Sequence, residues 1–216
     1  MKTKSYLLIS MALLSSNFVT YNTNFSSALF PAAQAQTVSY TDAQLQKWLE
    51  NIGDRMVSVV NSNVSKQEQK NSFLEILNQY VDVDTIGRFC LGRFWRIATP
   101  DQQKHYLQLF HSVLINAITD RLGEYKGVSF QIGKVSPAEG NNRSIETIIR
   151  RPKQPDVTVQ WIISTSNGAP RIVDIVGENA SLVVTQRDDY TSFIARNGNK
   201  VEALLSALER QITRHP

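Results

Sequence analysis

Hydrophobic positions change period along this chain. From Thr41 to Leu122 they recur at three and four residues, from Gly127 to Val184 they alternate, and from Tyr190 onward the helical period returns. Thr41-x-x-Gln44 is a capping box that opens a first helix, with Leu45, Trp48, Leu49, Ile52, Met56, Val59 and Val60 at helical spacing behind it. Ser65-x-x-Glu68 opens a second, carrying Phe73, Ile76, Leu77 and Tyr80. Asp84 is placed to cap a short helix through Cys90 that Gly92 closes. Thr99-Pro100-Asp101-Gln102 joins a cap, a proline at the first helical position and a glutamine at the third, and predicts a helix to about Leu122. That helix spreads Leu107, Phe110, Val113, Leu114, Ile115 and Ile118 beyond one stripe, so it is covered on more than one side. Burial between two layers and the lining of an apolar cavity both produce this pattern.

The alternating region predicts strands. Val128, Phe130 and Ile132 face one way, as do Ile145, Thr147 and Ile149, and Val157, Val159, Trp161 and Ile163. Arg171–Val176 and Ala180–Val184 add two shorter strands, and Gly140-Asn141-Asn142, Pro152–Pro155 and Asn167-Gly168 supply turns. Alternation with one polar face marks an antiparallel sheet covered on one side. Two helices follow, one carrying Tyr190, Phe193 and Ile194, the other starting at Asn199-x-x-Glu202 with Val201, Leu204, Leu205, Leu208 and Ile212. The order predicts an α+β fold: a curved antiparallel sheet of about five strands, packed on one face by helices, with room for a pocket between the layers.

Ahead of this pattern, Lys2 and Lys4 precede the apolar run Tyr6–Leu14, and a polar stretch leads to Ala33-Gln34-Ala35. That order predicts a signal peptide at residues 1–35, cleaved after Ala35, and one domain at 36–216 exported to the periplasm. The run is far shorter than the ~20 residues that span a bilayer. Losing Lys2 and Lys4 lowers the net charge from +4 to +2, so nothing in the composition calls for nucleic acid. Cys90, the only cysteine, stands between Phe89 and Leu91, where a buried thiol is expected and no internal disulfide can form.

Catalytic patterns are missing from the sequence. It has no G-x-S-x-G elbow and no H-E-x-x-H helix. His105, His111 and His215 lack ligand spacing, so no metal site and no cofactor is expected. Gly87-x-x-x-x-Gly92-Arg93 lacks the lysine and hydroxyl of a phosphate loop. Arg88, Arg93 and Arg96 are instead expected on helix-end carbonyls or on Asp82 and Asp84. Asp174, inside an apolar strand, is either on the solvent face or a bonded structural anion. The Arg150-Arg151-Pro152-Lys153 turn is a basic tip that either discourages edge pairing or touches anionic headgroups.

Residues 80–103 read YVDVDTIGRFCLGRFWRIATPDQQ. This segment resembles the MlaC, or toluene-tolerance, family of periplasmic phospholipid carriers in the Mla lipid-asymmetry pathway, which has hopanoid-associated relatives. The likeness runs from Phe73 to Leu208 and includes Phe110, Tyr125-x-Gly127, Arg171-x-x-Asp174-Ile175, Glu178 to Leu182 and Arg187-x-x-Tyr190. Pro170, Asn179 and Gln186 depart from the family's usual tryptophan, glycine and tyrosine.

The resemblance implies a non-enzymatic carrier that holds acyl chains between sheet and helices. It implies shuttling of phospholipid between an inner-membrane ABC transporter with an MCE-domain component and an outer-membrane lipoprotein complex. A lipid-modifying hydrolase and a periplasmic interaction module with a filled core are the alternatives. Spacing assigns Phe110, Leu114 and Ile118 on the long helix, and Val159, Trp161 and Val173 on the sheet, as the lipid-facing set. Arg150, Arg151 and Lys153 are the expected contacts to headgroup or membrane.

Overall fold

Side-chain caps set where the helices begin. The computed structural model describes residues 39–214, so the expected leader with its cleavage point, and His215, lie outside the described residues. Helix α1 spans Asp42–Asn61 and α2 spans Lys66–Tyr80. In each, the cap hydroxyl (Thr41, Ser65) accepts from a backbone N–H three residues on, while Gln44 or Glu68 reaches back. Helix α4, Pro100–Thr119, is closed in the same way by Thr99 and Gln102. Helix α3 spans Val83–Leu91, and its cap is Asp82, not the expected Asp84: Asp82 Oδ1 accepts from Thr85 N–H at 3.1 Å. The cause is tertiary. Asp82 N–H donates to Ile172 O at 3.0 Å, which holds that residue outside the helix, whereas Asp84 lies in the first turn and pairs with His111 at 2.9 Å.

The strands β1 (Ser129–Pro137), β2 (Arg143–Arg150), β3 (Val157–Ser164), β4 (Arg171–Gly177) and β5 (Ala180–Ser181) form one antiparallel meander in chain order. With the helices, this is the expected α+β architecture. Two irregularities bend it. Gly133 and Lys134 together oppose Glu146, and Val173 has no partner because Ile162 faces Asp174 while Ile163 faces Ile172. A bulge of this kind shifts face alternation by one residue. Ile172, rather than Val173, therefore joins Ile145 and Ile163 beneath Leu45 and Leu49 of α1.

The expected strand Ala180–Val184 stops after two residues, and helix α5 runs Leu182–Arg196. Leu182-Val183-Val184 has strand propensity, but the polar groups around it decide otherwise. Ser181 Oγ accepts from Val184 N–H at 2.9 Å and donates to Asp174 Oδ2 at 2.5 Å, while Asp174 Oδ1 accepts from Val183 N–H at 3.1 Å. Asp174 is thus a bonded structural anion. Helix α6 spans Val201–Arg214, starting after Asn199, whose left-handed backbone (φ 57°) sends its N–H to Ile194 O.

The largest hydrophobic cluster belongs wholly to helices and their connections. Cys90, Leu91, Phe94, Tyr106, Phe110, Tyr190, Ile194, Leu204 and Leu208 are buried in it, drawn from α3 to α6 without a strand residue. Much of the 80–103 segment serves this packing. A Cβ on Gly87 would lie 2.9 Å from Leu107 and 3.2 Å from Phe110, so the glycine lets α4 close onto α3; Tyr106 donates to Gly87 O at 2.9 Å in the contact. Gly92 ends α3 at φ 57° against Thr191 and Arg187. Among the described residues no carboxylate pairs with Arg88, Arg93 or Arg96; Arg88 lies over the Trp95 ring at 5.6 Å and Arg93 over Phe94 at 4.9 Å. Both leave Asp84 to His111.

Cys90 is fully buried, with Sγ 3.7 Å from Val183 O. Burial, aided by the Asp174 charge and opposed by Arg187, pushes its thiol up to about 12. We expect no reaction with a thiol reagent at pH 8 in the folded protein and one full equivalent in denaturant. Rapid native-state labelling would show that the α3–α5 contact opens readily.

Candidate functional site

Where the sheet leaves the shelter of Leu45 and Leu49, its inward side chains face a space instead of a packed helix. The cavity has a volume of about 390 Å³, within the range typical of small-molecule sites. Three cross-strand pairs make its floor: Phe130 with Ile149, Thr147 with Val159, and Trp161 with Ile175. Antiparallel register brings each pair to the same face. Gly53, Met56, Val57 and Val60, at helical spacing on α1, form one wall; Ala117 and Ile118 of α4, with Leu122 and Tyr125 of the following turn, form another. Leu182 of α5 completes the lining, and it is exposed together with Ala117 and Arg121, which marks the open side.

Two local features keep the wall apolar and deep. The Trp161 indole N–H donates to Thr147 Oγ1 at 2.9 Å, so the floor's polar atoms bond to one another. At Gly53 the Phe130 ring lies so close that a Cβ would meet its Cζ at 2.1 Å, which lets the ring lie flat against α1.

The expected lipid-facing residues separate in space. Ile118, Val159 and Trp161 stand in the cavity wall. Phe110 is buried in the helical cluster, stacked near Tyr106 and Tyr190 at 5.8 and 6.4 Å. Leu114 packs between that cluster and the one formed by Phe73, Leu77, Ile115 and Leu122. Val173 is the bulged residue of β4. The α1 wall lies outside the expected set, as do Phe130, Thr147, Ile149, Ile175 and Leu182. The α1 residues read as ordinary core positions, and Gly53 inside the helix was the only mark of a close approach.

Charge collects near the mouth. Arg151 lies over the Tyr125 ring at 5.4 Å, and Tyr125 lines the cavity. Arg150, in the same turn, is held by Asp156 at 3.2 Å and by Gln131 at 3.1 Å, while Lys153 is exposed at φ 61°. The histidines lie elsewhere: His105 with Glu209 at 2.8 Å and His111 with Asp84 at 2.9 Å. Among the described residues, no group of three or more His, Cys, Asp or Glu side chains could hold a metal, and no helix is long and apolar enough to cross a membrane.

A sequence model of the MlaC protein family matches residues 50–210. Among solved structures, the fold is similar to that of a phospholipid-binding protein from Ralstonia solanacearum, determined in complex with a phospholipid. The TM-score is 0.68 at 18% identity, covering 81% of this chain and 98% of the other.

Volume separates core from wall. Leu114→Trp is expected to lower stability by about 1–3 kcal/mol through overpacking. Ile118→Trp has the cavity to enter and is expected to melt near wild type. Denaturant titration of the two variants checks this, and equal losses would mean that the Ile118 side is as tightly filled as the Leu114 side.

Proposed function

This chain belongs to the MlaC family, and on that premise we propose that it is a periplasmic phospholipid carrier. It holds acyl chains in the cavity between α1, the end of α4 and the sheet, and moves lipid between inner- and outer-membrane assemblies. The observation that carries the reading is the apolar-walled cavity of about 390 Å³ between α1, the end of α4 and the sheet. Its walls are almost wholly apolar and open to water on one side, so an apolar guest would remove that surface from water.

Acyl chains fit the chemistry. Each buried methylene is worth about 0.8 kcal/mol, so a dozen contribute on the order of 10 kcal/mol, more than enough to hold a lipid away from water. Carriage needs volume and a mouth; it needs no nucleophile or proton shuttle, so we read the protein as a binding protein and not an enzyme. A complex that tight releases its lipid only when a partner favours the emptied form. The transporter and lipoprotein assemblies expected from the family are suited to that role. Ile118, Val159 and Trp161 touch the chains, while Arg151 and Lys153, with Arg150 bracing the turn, meet the headgroup or membrane surface.

Native mass spectrometry of protein purified without detergent is expected to show an adduct of diacyl-lipid mass, reduced in Ile118→Trp. Empty wild-type protein after gentle handling would return the domain to an interaction module. For the basic turn, Arg151→Gln with Lys153→Gln is expected to weaken association with anionic vesicles mainly at low salt. Unchanged binding at every salt concentration would leave the turn a solvated tip.

A further inference from the structure

Away from its open side, the cavity is closed along α1 in two different ways. Toward the start of the helix, Leu49 is buried with Leu45, Ile145, Ile163 and Ile172 in a packed cluster. One turn further on, the closure is a single contact, Phe130 of β1 against Gly53. A Cβ on Gly53 would lie 2.1 Å from Cζ of that ring and 2.5 Å from each Cε, so the glycine sits over the face of the ring at its tip. Glycine inside a helix is destabilising relative to alanine, because it gives up more backbone freedom on folding. At position 53 any side chain would drive the ring off α1.

Behind the ring is water. β1 is the end strand of the sheet, Ser129 and Gln131 on either side of Phe130 are exposed, and Phe130 and Gly53 are themselves half-buried. Leu182, on the open side, follows β5 at the opposite end of the sheet. A chain that enters past Leu182 and crosses the floor over Ile175, Trp161 and Thr147 runs from β4 to β1. That is about 14 Å at the usual strand spacing, and Phe130 is the last side chain it meets. Any methylene beyond that point has to displace the ring or stand in water.

Resting on the carrier reading, we infer that Phe130, seated on Gly53, is a stop that sets the longest acyl chain the cavity accepts, so that the protein selects its lipid by chain length. A lipid leaving a bilayer exchanges one apolar surrounding for another, so only the methylenes that the cavity leaves in water change its share. Each of those lowers binding about fourfold. Chains up to the limit are taken alike, and longer ones fall away steeply.

Substitutions at the two positions act in opposite directions. A Cβ at position 53 meets only the far end of a side chain and no backbone, so Gly53→Ala moves the ring into the cavity and shortens the limit. Phe130→Ala and, to a smaller extent, Phe130→Leu free the space of the ring and lengthen it. Combined with Gly53→Ala, Phe130→Leu makes room for the new methyl and returns the limit toward that of wild type.

The test loads lipid-stripped protein from vesicles holding equal amounts of saturated phosphatidylglycerols that differ only in acyl length, above their melting temperatures. Bound lipid is then counted by mass spectrometry. Wild type is expected to load the shorter members at the vesicle ratio and to drop about fourfold for each methylene past its limit. For the first lipid beyond that limit, Phe130→Ala is expected to raise the share at least about fourfold. Gly53→Ala is expected to lower the share of the longest lipid that wild type still takes freely. Phe130→Leu keeps an apolar side chain between α1 and β1, so its result stands if Phe130→Ala does not fold. Loading of every length at the vesicle ratio by wild type overturns the stop and leaves the carrier reading standing. So does a limit that Phe130→Ala and Phe130→Leu leave in place or shorten. Wild type that takes up no lipid overturns both.

Discussion

One crossing point holds this molecule together. Val81, between α2 and α3, makes a parallel bridge to Ile172 of β4, and Asp82 N–H donates to Ile172 O next to it. Val81 is also packed against all three hydrophobic clusters: the helical one, the one under α1, and the one between α2 and α4. The chain therefore pins its helical half to the sheet at one edge. Because α3 to α6 satisfy one another, they do not close over the rest of the sheet. The cavity is what that arrangement leaves.

A second tie sits near the mouth. Asp174 binds the Ser181 hydroxyl and the Val183 N–H, so β4 and the start of α5 are fixed to each other by charge-assisted hydrogen bonds. Leu182, between those anchors, is thereby placed at the cavity edge, and Cys90 is buried beneath Val183 O. Asp174, which the sequence left either on the solvent face or as a bonded anion, is a structural rivet. Gly87 and Gly92, with Arg88 and Arg93, have the same character, since the glycines allow close helix packing and the two arginines lie on aromatic rings. In this fold the motif specifies architecture, and the cavity wall is assembled from less distinctive residues.

Those residues share a physical feature that sequence reasoning weighs poorly. A side chain lining a cavity and one filling a core obey the same periodicity and the same apolar composition. Phe110 and Ile118 lie on one helix at comparable spacing, yet one is buried in a packed cluster and the other faces open volume. What separates them is whether another element lies opposite, and no local pattern reports that.

The sequence by itself determined the capped helix starts at Thr41, Ser65 and Thr99, the inward alternation of β1 to β3, the α+β order and the family likeness. Each of these rests on contacts within a few residues or on a repeating period. Tertiary structure decided the remainder. Asp82 became the cap of α3 because β4 holds its backbone, Leu182 to Val184 became helix because Asp174 and Ser181 take their N–H groups, and Val173 left the inward face because of a bulge. The cavity itself depends on where α1 closes on the sheet, at Leu45, Leu49 and Gly53, and where it does not. Partners distant in the chain supply those forces, so the sequence names the side chains while the packing decides which of them face empty space.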